Sequence, residues 1–171
     1  MKSFATTAIL RHPLDQVWTA MRDRLDDIAP SVADIRSFST ASRESLRDIT
    51  RLVNRWEAAP NLPAAITSLV PESLLRWKDH ADWIESAHEC RWRIETEFAT
   101  DRIHCGGTTA YEAAIGGRGT RITFRGQLTI DPGGVISGTL VPIAEIVVTN
   151  IIPRNFNNLA NAVGSYLDGR R

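Results

Sequence analysis

The sequence predicts an α+β fold in which an antiparallel sheet packs against a long C-terminal helix. Three observations support this prediction. Residues 3–10 form a short β-prone run, and a helical pattern follows at once over residues 13–30. Residues 84–130 alternate between apolar and polar positions, as strands do when one face of their sheet is buried. Residues 140–167 return to helical spacing.

The composition is that of an ordinary globular domain. The chain has 171 residues, of which 43% are hydrophobic, and its 20 Lys and Arg balance 20 Asp and Glu. A zero formal charge gives no general attraction to nucleic acid or acidic lipid. The longest apolar stretch, LVPIAEIVV, is far shorter than the ~20 residues that span a bilayer. We therefore predict one cytoplasmic domain over residues 1–171, with no secretory signal, no structural metal site and no disulfide framework.

The first helix is predicted to begin directly after the strand Ser3–Leu10. Pro13 suits the first turn of a helix, where its missing N–H group has no partner to lose. Asp15 places a carboxylate near the free N–H groups and the positive end of the helix dipole. The pattern ends near Pro30. One face is apolar, as in a helix that lies on a sheet, and it carries Leu14, Val17, Trp18, Met21, Leu25 and Ile28.

Shorter strands are predicted between this helix and the central strands. Residues 33–41 and 46–57 alternate and indicate a hairpin that turns near Ser42 and Arg43. Residues 60–70 contain several prolines and predict a short helical connection. Residues 74–81 predict one further short strand.

The central strands indicate which side chains point inward. A turn at ATDR would pair Cys90 with Tyr111, and a turn at GGRG would pair Tyr111 with Phe124. In both hairpins the apolar face then meets an apolar face, whereas a slip of one residue would place every apolar side chain in water. The even positions of residues 84–98 and the odd positions of residues 103–115 are therefore predicted to face the core.

The C-terminal helix, over residues 140–167, is predicted to be kinked. Its apolar residues before Pro153 and those after it fall on nearly opposite sides of a straight helix, counting ~100° per residue. Proline also removes a backbone hydrogen bond and crowds the preceding turn. We therefore expect a kink or break between Asn150 and Arg154, with the second segment lying on the sheet.

Strand, proline-led helix, antiparallel strands and final helix together form a pattern typical of one superfamily. The chain resembles the START-like superfamily, also called SRPBCC, which includes relatives of the birch-pollen allergen, polyketide cyclases and lipid-transfer domains. The residues that carry the resemblance are HPLDQVWTAMRD, the paired strands from 84 to 130, and VPIAEIVVTNIIPRNFNNLANAVGSYL. The middle of the chain is most similar to an uncharacterised bacterial subgroup with a Leu-Pro-Ala stretch, here Leu62, Pro63 and Ala64. The resemblance implies a helix-grip fold, in which a curved antiparallel sheet wraps around the C-terminal helix and an apolar cavity lies between them.

A cavity of this kind is the candidate binding site, because such cavities take up apolar ligands. Polar side chains that face it need partners from the protein, from water or from a ligand. His88 and Tyr111 are candidates to orient a ligand or to move a proton, and the alternative is that each is satisfied within an ordinary core. The predicted cavity residues are His88, Cys90, Trp92, Thr109, Tyr111, Phe124, Glu145, Phe156, Leu159 and Val163.

Neither a catalytic role nor a disulfide is favoured for the cysteines. On one strand face, His88 and Cys90 would project in parallel, ~7 Å apart, with no third group to orient them. In the predicted register Cys90 and Cys105 would lie roughly 20 Å apart, which argues against a disulfide. The sequence leaves open whether Glu145, and Asp48 on the third strand, face the cavity or solvent.

The leading hypothesis is binding or transport of a hydrophobic small molecule, such as a lipid, a quinone or a polyketide-like compound, without catalysis. One alternative is a polyketide cyclase or aromatase-like enzyme that uses His88, Tyr111 or Glu145 as acid or base, although no catalytic residue can be assigned. Another is a structural module with a filled core that forms a homodimer through the first half of the last helix. No cofactor is expected. No nucleic-acid partner is expected either, because the arginine stripe of the third strand is typical of a solvated surface.

Overall fold

The computed structural model describes residues 1–59, 67–68, 70–131, 133, 141–142, 145 and 151–169. It confirms the predicted α+β class, with a curved antiparallel sheet and a C-terminal helix packed against it. The strands are β1 (Lys2–Leu10), β2 (Ile35–Leu46), β3 (Ile49–Ala58), β4 (Arg76–Ile84), β5 (Glu89–Thr96), β6 (Ile103–Ala114) and β7 (Gly119–Ile130). The α-helices whose bounds fall within the described residues are α1 (Leu14–Asp23), α2 (Leu25–Ile28) and α3 (Ile152–Asp168).

The strands form one seven-stranded sheet in the order β1-β7-β6-β5-β4-β3-β2. Among these seven described strands every pairing is antiparallel, and only the β1–β7 pairing joins strands that are not consecutive in the chain. Single 3₁₀ turns follow α2 at Ala29–Ser31 and precede β4 at Glu72–Leu74. The predicted Leu-Pro-Ala stretch and most of the predicted connection at residues 60–70 lie outside the described residues.

The predicted registers of the two central hairpins were wrong by two residues, although the predicted faces were right. Cys90 lies opposite Thr109 rather than Tyr111, and Tyr111 lies opposite Ile122 rather than Phe124. Because side chains alternate with a period of two, a slip of two residues leaves every inward side chain inward. The register shift between β6 and β7 has its cause in the turn that joins them. Residues Ile115, Gly116 and Gly117 have left-handed backbone conformations and close this turn one position earlier than expected.

Two further turns were placed wrongly. The β2–β3 hairpin turns at Arg47 and Asp48, with Leu46 paired to Ile49, and only a register irregularity occurs near the predicted turn at Ser42 and Arg43. The predicted long strand over residues 84–98 is interrupted by a turn over residues 85–88. Both turns contain a non-glycine residue with positive φ, Arg47 at 50° and His88 at 45°. The glycine and proline signals that mark most turns are therefore missing.

The tryptophan of α1 packs against the inner face of the sheet and joins the helix to the turn between β4 and β5. The indole N–H of Trp18 donates to Glu85 Oε2 at 2.9 Å, and Arg22 forms an ion pair with the same carboxylate. The ring of Trp18 contacts Trp83 and Tyr111 edge-on, with centroids 5.0 and 5.1 Å apart. The strand–helix unit at the N-terminus therefore covers one end of the sheet.

Polar contacts along its length join α3 to β1 and to the segments that precede α1 and β2. Asn157 bonds to Thr6 of β1, with the amide nitrogen donating to the hydroxyl at 3.0 Å. Asn158 donates to the buried Asp34 carboxylate at 3.0 Å. Near the C-terminal end, Asp168 lies 3.0 Å from the buried His12 Nε2. Pro153 lies in the first turn of this helix. The predicted first segment, residues 140–150, lies mostly outside the described residues, as does one end of the predicted kink.

A buried hydrogen bond at the start of β7 joins this strand to the segment that precedes α1. Thr120 is fully buried, and its hydroxyl donates to the backbone carbonyl of His12 at 2.8 Å. Thr120→Val is expected to lower the free energy of unfolding by about 1–2 kcal/mol, because it leaves a buried acceptor without its donor. Thr123→Val, on the outer face of the same strand, is the control and should be nearly neutral. Urea unfolding measures both, and equal stability of the two variants would contradict the expected role.

Candidate functional site

A cavity of about 140 Å³ lies between the inner face of strands β3–β7 and the N-terminal half of α3, with α1 and α2 at its margin. It has the position that the resemblance implies. Most of the predicted cavity residues line it, namely Cys90, Trp92, Thr109, Tyr111, Phe124, Phe156 and Leu159.

Aromatic rings form much of the cavity surface. Trp92 stacks on Phe124 with centroids 4.8 Å apart, and Phe124 stacks on Phe156 of α3 at 4.5 Å. On the other side, Trp56 and Trp77 stack at 6.2 Å across β3 and β4. Rings in these offset and stacked arrangements are rigid apolar surfaces, which suit a flat apolar ligand.

Two glycines make room for the indole of Trp92. Gly107 of β6 lies opposite Trp92 on one side and opposite Gly126 of β7 on the other. A Cβ atom on Gly107 would lie 2.7 Å from Trp92 Cζ2, and one on Gly126 would lie 2.6 Å from Trp92 Cη2. The absence of two side chains therefore sets the position of the Trp92 indole in the cavity.

The remaining predicted cavity residues lie elsewhere. His88 is in the turn before β5, where its ring contacts Trp18 edge-on with centroids 5.3 Å apart. Val163 is fully buried against the core, further along α3 than the cavity extends. Glu145 lies near the surface, with its carboxylate 3.6 Å from the Lys2 ammonium. Asp48 lies in the β2–β3 turn and accepts a hydrogen bond from the backbone N–H of Ser86 at 2.9 Å.

The cysteines and the tyrosine on the inner face are neutral groups at physiological pH. Burial raises the pKa of the Cys105 thiol to about 12 and raises the pKa of Cys90 well above its usual value. Both cysteines are free, and in the observed register Cys105 lies opposite Ile94, about 13 Å along the strand from Cys90. Burial likewise raises the pKa of the Tyr111 hydroxyl well above 10. None of these side chains has the lowered pKa of an activated nucleophile.

Several residues that line the cavity were missed in the sequence, and the one among them with an ionisable side chain is Asp79 of β4. It points inward between Trp77 and Ala81 and lines the cavity beside the stacked tryptophans. Asn54 of β3 donates to its Oδ2 at 3.2 Å, and the side chain of Trp56 donates a second hydrogen bond. Burial outweighs both bonds and raises the pKa of Asp79 from 3.8 to about 6. The signal available in the sequence was alternation over residues 77–83, where one carboxylate shares a face with two tryptophans.

The cavity region also contains polar atoms without partners. Among the described residues, the indole nitrogens of Trp83 and Trp92 and the Asn155 Oδ1 atom are buried and form no hydrogen bond. All three residues line the cavity. Because an unsatisfied buried polar atom is unfavourable, such atoms in a native protein often mark where water or a ligand binds.

Within the described part of the chain, no group of His, Cys, Asp and Glu side chains is arranged to hold a metal ion. In the same part, no helix has the length and apolar character that crossing a membrane requires.

Comparison with known proteins defines the class of fold. No family model and no curated protein matches the sequence. A solved structure from Thermus thermophilus superposes with a TM-score of 0.69 at 17% identity, covering 96% of this chain and 99% of that chain. An aromatase/cyclase from a Streptomyces species superposes with a TM-score of 0.69 at 16% identity, covering 99% and 94%.

A third solved structure is norcoclaurine synthase from Thalictrum flavum in complex with dopamine and hydroxybenzaldehyde. It superposes with a TM-score of 0.65 at 11% identity, covering 99% of this chain and 88% of that chain. At these identities the likeness concerns architecture. The chain shares the helix-grip α+β fold of these structures, the fold that the sequence predicted, and function has to be argued from the site.

Proposed function

We propose that the protein is a START-like ligand-binding domain over residues 1–171 that binds a small hydrophobic molecule in the cavity between sheet and α3. The observation that carries this proposal is an apolar space surrounded by stacked aromatic rings at the fold's characteristic position. Cys90, Trp92, Thr109, Tyr111, Phe124, Phe156 and Leu159 are the proposed contact residues.

The size of the cavity narrows the class of ligand. Cavities that bind drug-sized molecules have volumes of about 300–1,000 Å³, whereas an apolar cavity of about 150 Å³ binds benzene. At about 140 Å³ this cavity suits a molecule with one aromatic ring. The predicted lipids, quinones and polyketides would require it to enlarge. The two single-ring molecules bound by the norcoclaurine synthase structure, dopamine and hydroxybenzaldehyde, support the smaller class.

A second candidate is an enzyme of the aromatase/cyclase kind. It is supported by Asp79, since a carboxyl group with a pKa of about 6 is suited to proton transfer near neutral pH. Tyr111 lines the same cavity, whereas His88 and Glu145, the other sequence-based candidates, lie outside its lining residues. Turnover of a bound aromatic compound, lost in Asp79→Asn, would favour the enzyme over the binding protein.

Ala81→Leu tests the binding site directly. Ala81 is buried and lines the cavity, so a leucine side chain would occupy much of the space that the ligand needs. Ethylbenzene is expected to bind the wild-type protein, and Ala81→Leu is expected to weaken binding at least about tenfold through steric exclusion. Isothermal titration calorimetry measures both affinities.

Ala110→Leu is the matched control. It makes the same change on β6, at a half-buried position on the outer face of the sheet, and should leave the affinity for ethylbenzene unchanged. If the wild-type protein does not bind ethylbenzene, or if Ala81→Leu binds it as well as Ala110→Leu does, the cavity is not the binding site for single-ring ligands.

A further inference from the structure

The carboxyl group of Asp79 has no positively charged partner among the described residues. Its hydrogen bonds come from two neutral side chains, the amide of Asn54 and the indole of Trp56. The other acidic side chains of β4 and β5 differ in this respect. Asp82 pairs with Arg51, and Glu95 pairs with Lys78. Asp79 alone among these faces the cavity.

An uncompensated carboxylate in apolar surroundings is unfavourable, and proteins usually pair such a group or replace it. Here it is supported by two donors, so the structure holds its oxygens in a defined position. Trp56 and Trp77 stack beside it and present aromatic faces near the same end of the cavity. A carboxylate next to aromatic faces is complementary to a cation that carries hydrogen-bond donors.

We propose that the ligand is a small aromatic or alicyclic primary amine, whose ammonium group binds the Asp79 carboxylate while its ring lies among the cavity aromatics. This inference rests on the proposed function and specifies its ligand class. The ammonium supplies the missing positive charge and donates to carboxylate lone pairs that Asn54 and Trp56 leave free. The ring packs against Trp92 and Phe124 on the other side of the cavity.

The surroundings of Asp79 allow its protonation to control binding. Among the described residues, the titratable groups within electrostatic reach of Asp79 are His80, which follows it on β4, Cys90 on β5 and Tyr111 on β6. His80 Nε2 lies 2.7 Å from Glu95 Oε2 on the outer face. Burial raises the pKa values of Cys90 and Tyr111, so both stay neutral. On the cavity side β3 and α3 present the neutral side chains of Asn54, Trp56 and Asn155.

Two isosteric probes separate the charge from the ring. Benzylamine and ethylbenzene have nearly the same shape, and only benzylamine carries an ammonium group at neutral pH. At pH 7.5, Asp79→Asn is expected to weaken benzylamine binding at least about tenfold, because it removes a charge-assisted hydrogen bond. The same variant should change ethylbenzene affinity by less than about threefold. Calorimetric titration of both proteins with both probes measures these ratios.

The wild-type protein provides an independent readout that needs no variant. Benzylamine affinity should fall as the pH decreases from 7.5 to 5, since Asp79 becomes protonated, while ethylbenzene affinity stays constant. Equal binding of benzylamine by wild type and Asp79→Asn, with ethylbenzene bound by both, would overturn the amine proposal and leave the cavity as an apolar site. Failure of both probes to bind the wild-type protein would overturn the proposed function and this inference with it.

Discussion

Gly107→Ala is expected to lower the free energy of unfolding by at least about 3 kcal/mol, the upper end of what overpacked sites usually lose. A Cβ atom at this position would lie 1.9 Å from the backbone oxygen of Arg125 and 2.7 Å from the Cα of Gly126. Both atoms belong to the backbone of β7, which cannot move away without breaking ladder hydrogen bonds. The variant should therefore unfold at a temperature lower by roughly 6–12 °C, on a scale of about 2–4 °C per kcal/mol.

Gly106→Ala is the matched control for this prediction. Gly106 precedes Gly107 on β6 and points to the opposite face, where the nearest atom to an added Cβ would be the Trp92 backbone oxygen at 3.1 Å. That contact is tight but can relax, and alanine also restricts the unfolded chain. We expect a change below about 1 kcal/mol. Similar thermal stability of the two variants would show that β7 does not approach β6 as closely as described.

The glycine pair also has a consequence for binding. Because Trp92 lies over Gly107 and Gly126, a variant of either glycine that still folds should displace the indole toward the cavity. The close approach of β6 and β7 is thus part of the site as well as of the sheet. The Gly106–Gly107 pair is evident in the sequence, but only the strand pairing shows which of the two glycines faces the Trp92 indole.

The inward faces of the central strands could be predicted from the sequence, but their register could not. The alternation of apolar and polar residues rules out a register slip of one residue, because such a slip would expose the apolar side chains to water. It does not rule out a slip of two residues, because the apolar side chains then stay on the buried face. Register then depends on turn geometry. The turns at Arg47 and His88 use non-glycine residues with positive φ, so no composition signal marked them. His88 was assigned to a strand and to the cavity for this reason.

Which inward residues border an empty space could be predicted only in part. Val163 and Phe156 lie on the same face of α3, yet core side chains surround Val163 completely, whereas Phe156 borders the cavity. Asp79 was missed because its donors, Asn54 and Trp56, belong to another strand, and because the predicted strand ended at Ala81. A void is a property of how several elements pack together, and a periodic pattern in one segment does not contain it.

The second large effect is expected from Asp79→Asn in the absence of ligand, which should stabilise the protein at pH 7.5 by about 2–3 kcal/mol. The pKa of Asp79 rises from 3.8 to about 6 on folding, because burial disfavours the charged form. Well below its ordinary pKa of 3.8 the group is protonated in both states and contributes nothing. Between about pH 4 and 6 the unfolded chain ionises while the folded protein keeps its proton, so stability falls as the pH rises. Above that range the penalty is constant.

The pH dependence is what distinguishes this prediction from a general effect of removing one charge. Asparagine is isosteric and does not titrate, and its side-chain oxygen can still accept from Asn54. The difference in stability between variant and wild type should therefore be small at pH 4 and grow to its full value by about pH 7. Asp82→Asn, on the outer face of the same strand and paired with Arg51, is the control and should not stabilise the protein at pH 7.5. Urea unfolding of all three proteins from pH 4 to 8 measures the difference.

If Asp79→Asn is no more stable than wild type at pH 7.5, the carboxylate is well solvated, and a cavity that favours a cationic ligand loses its physical basis. A stabilised variant that has lost amine binding would show that the protein retains an unfavourable group because its ligand requires it.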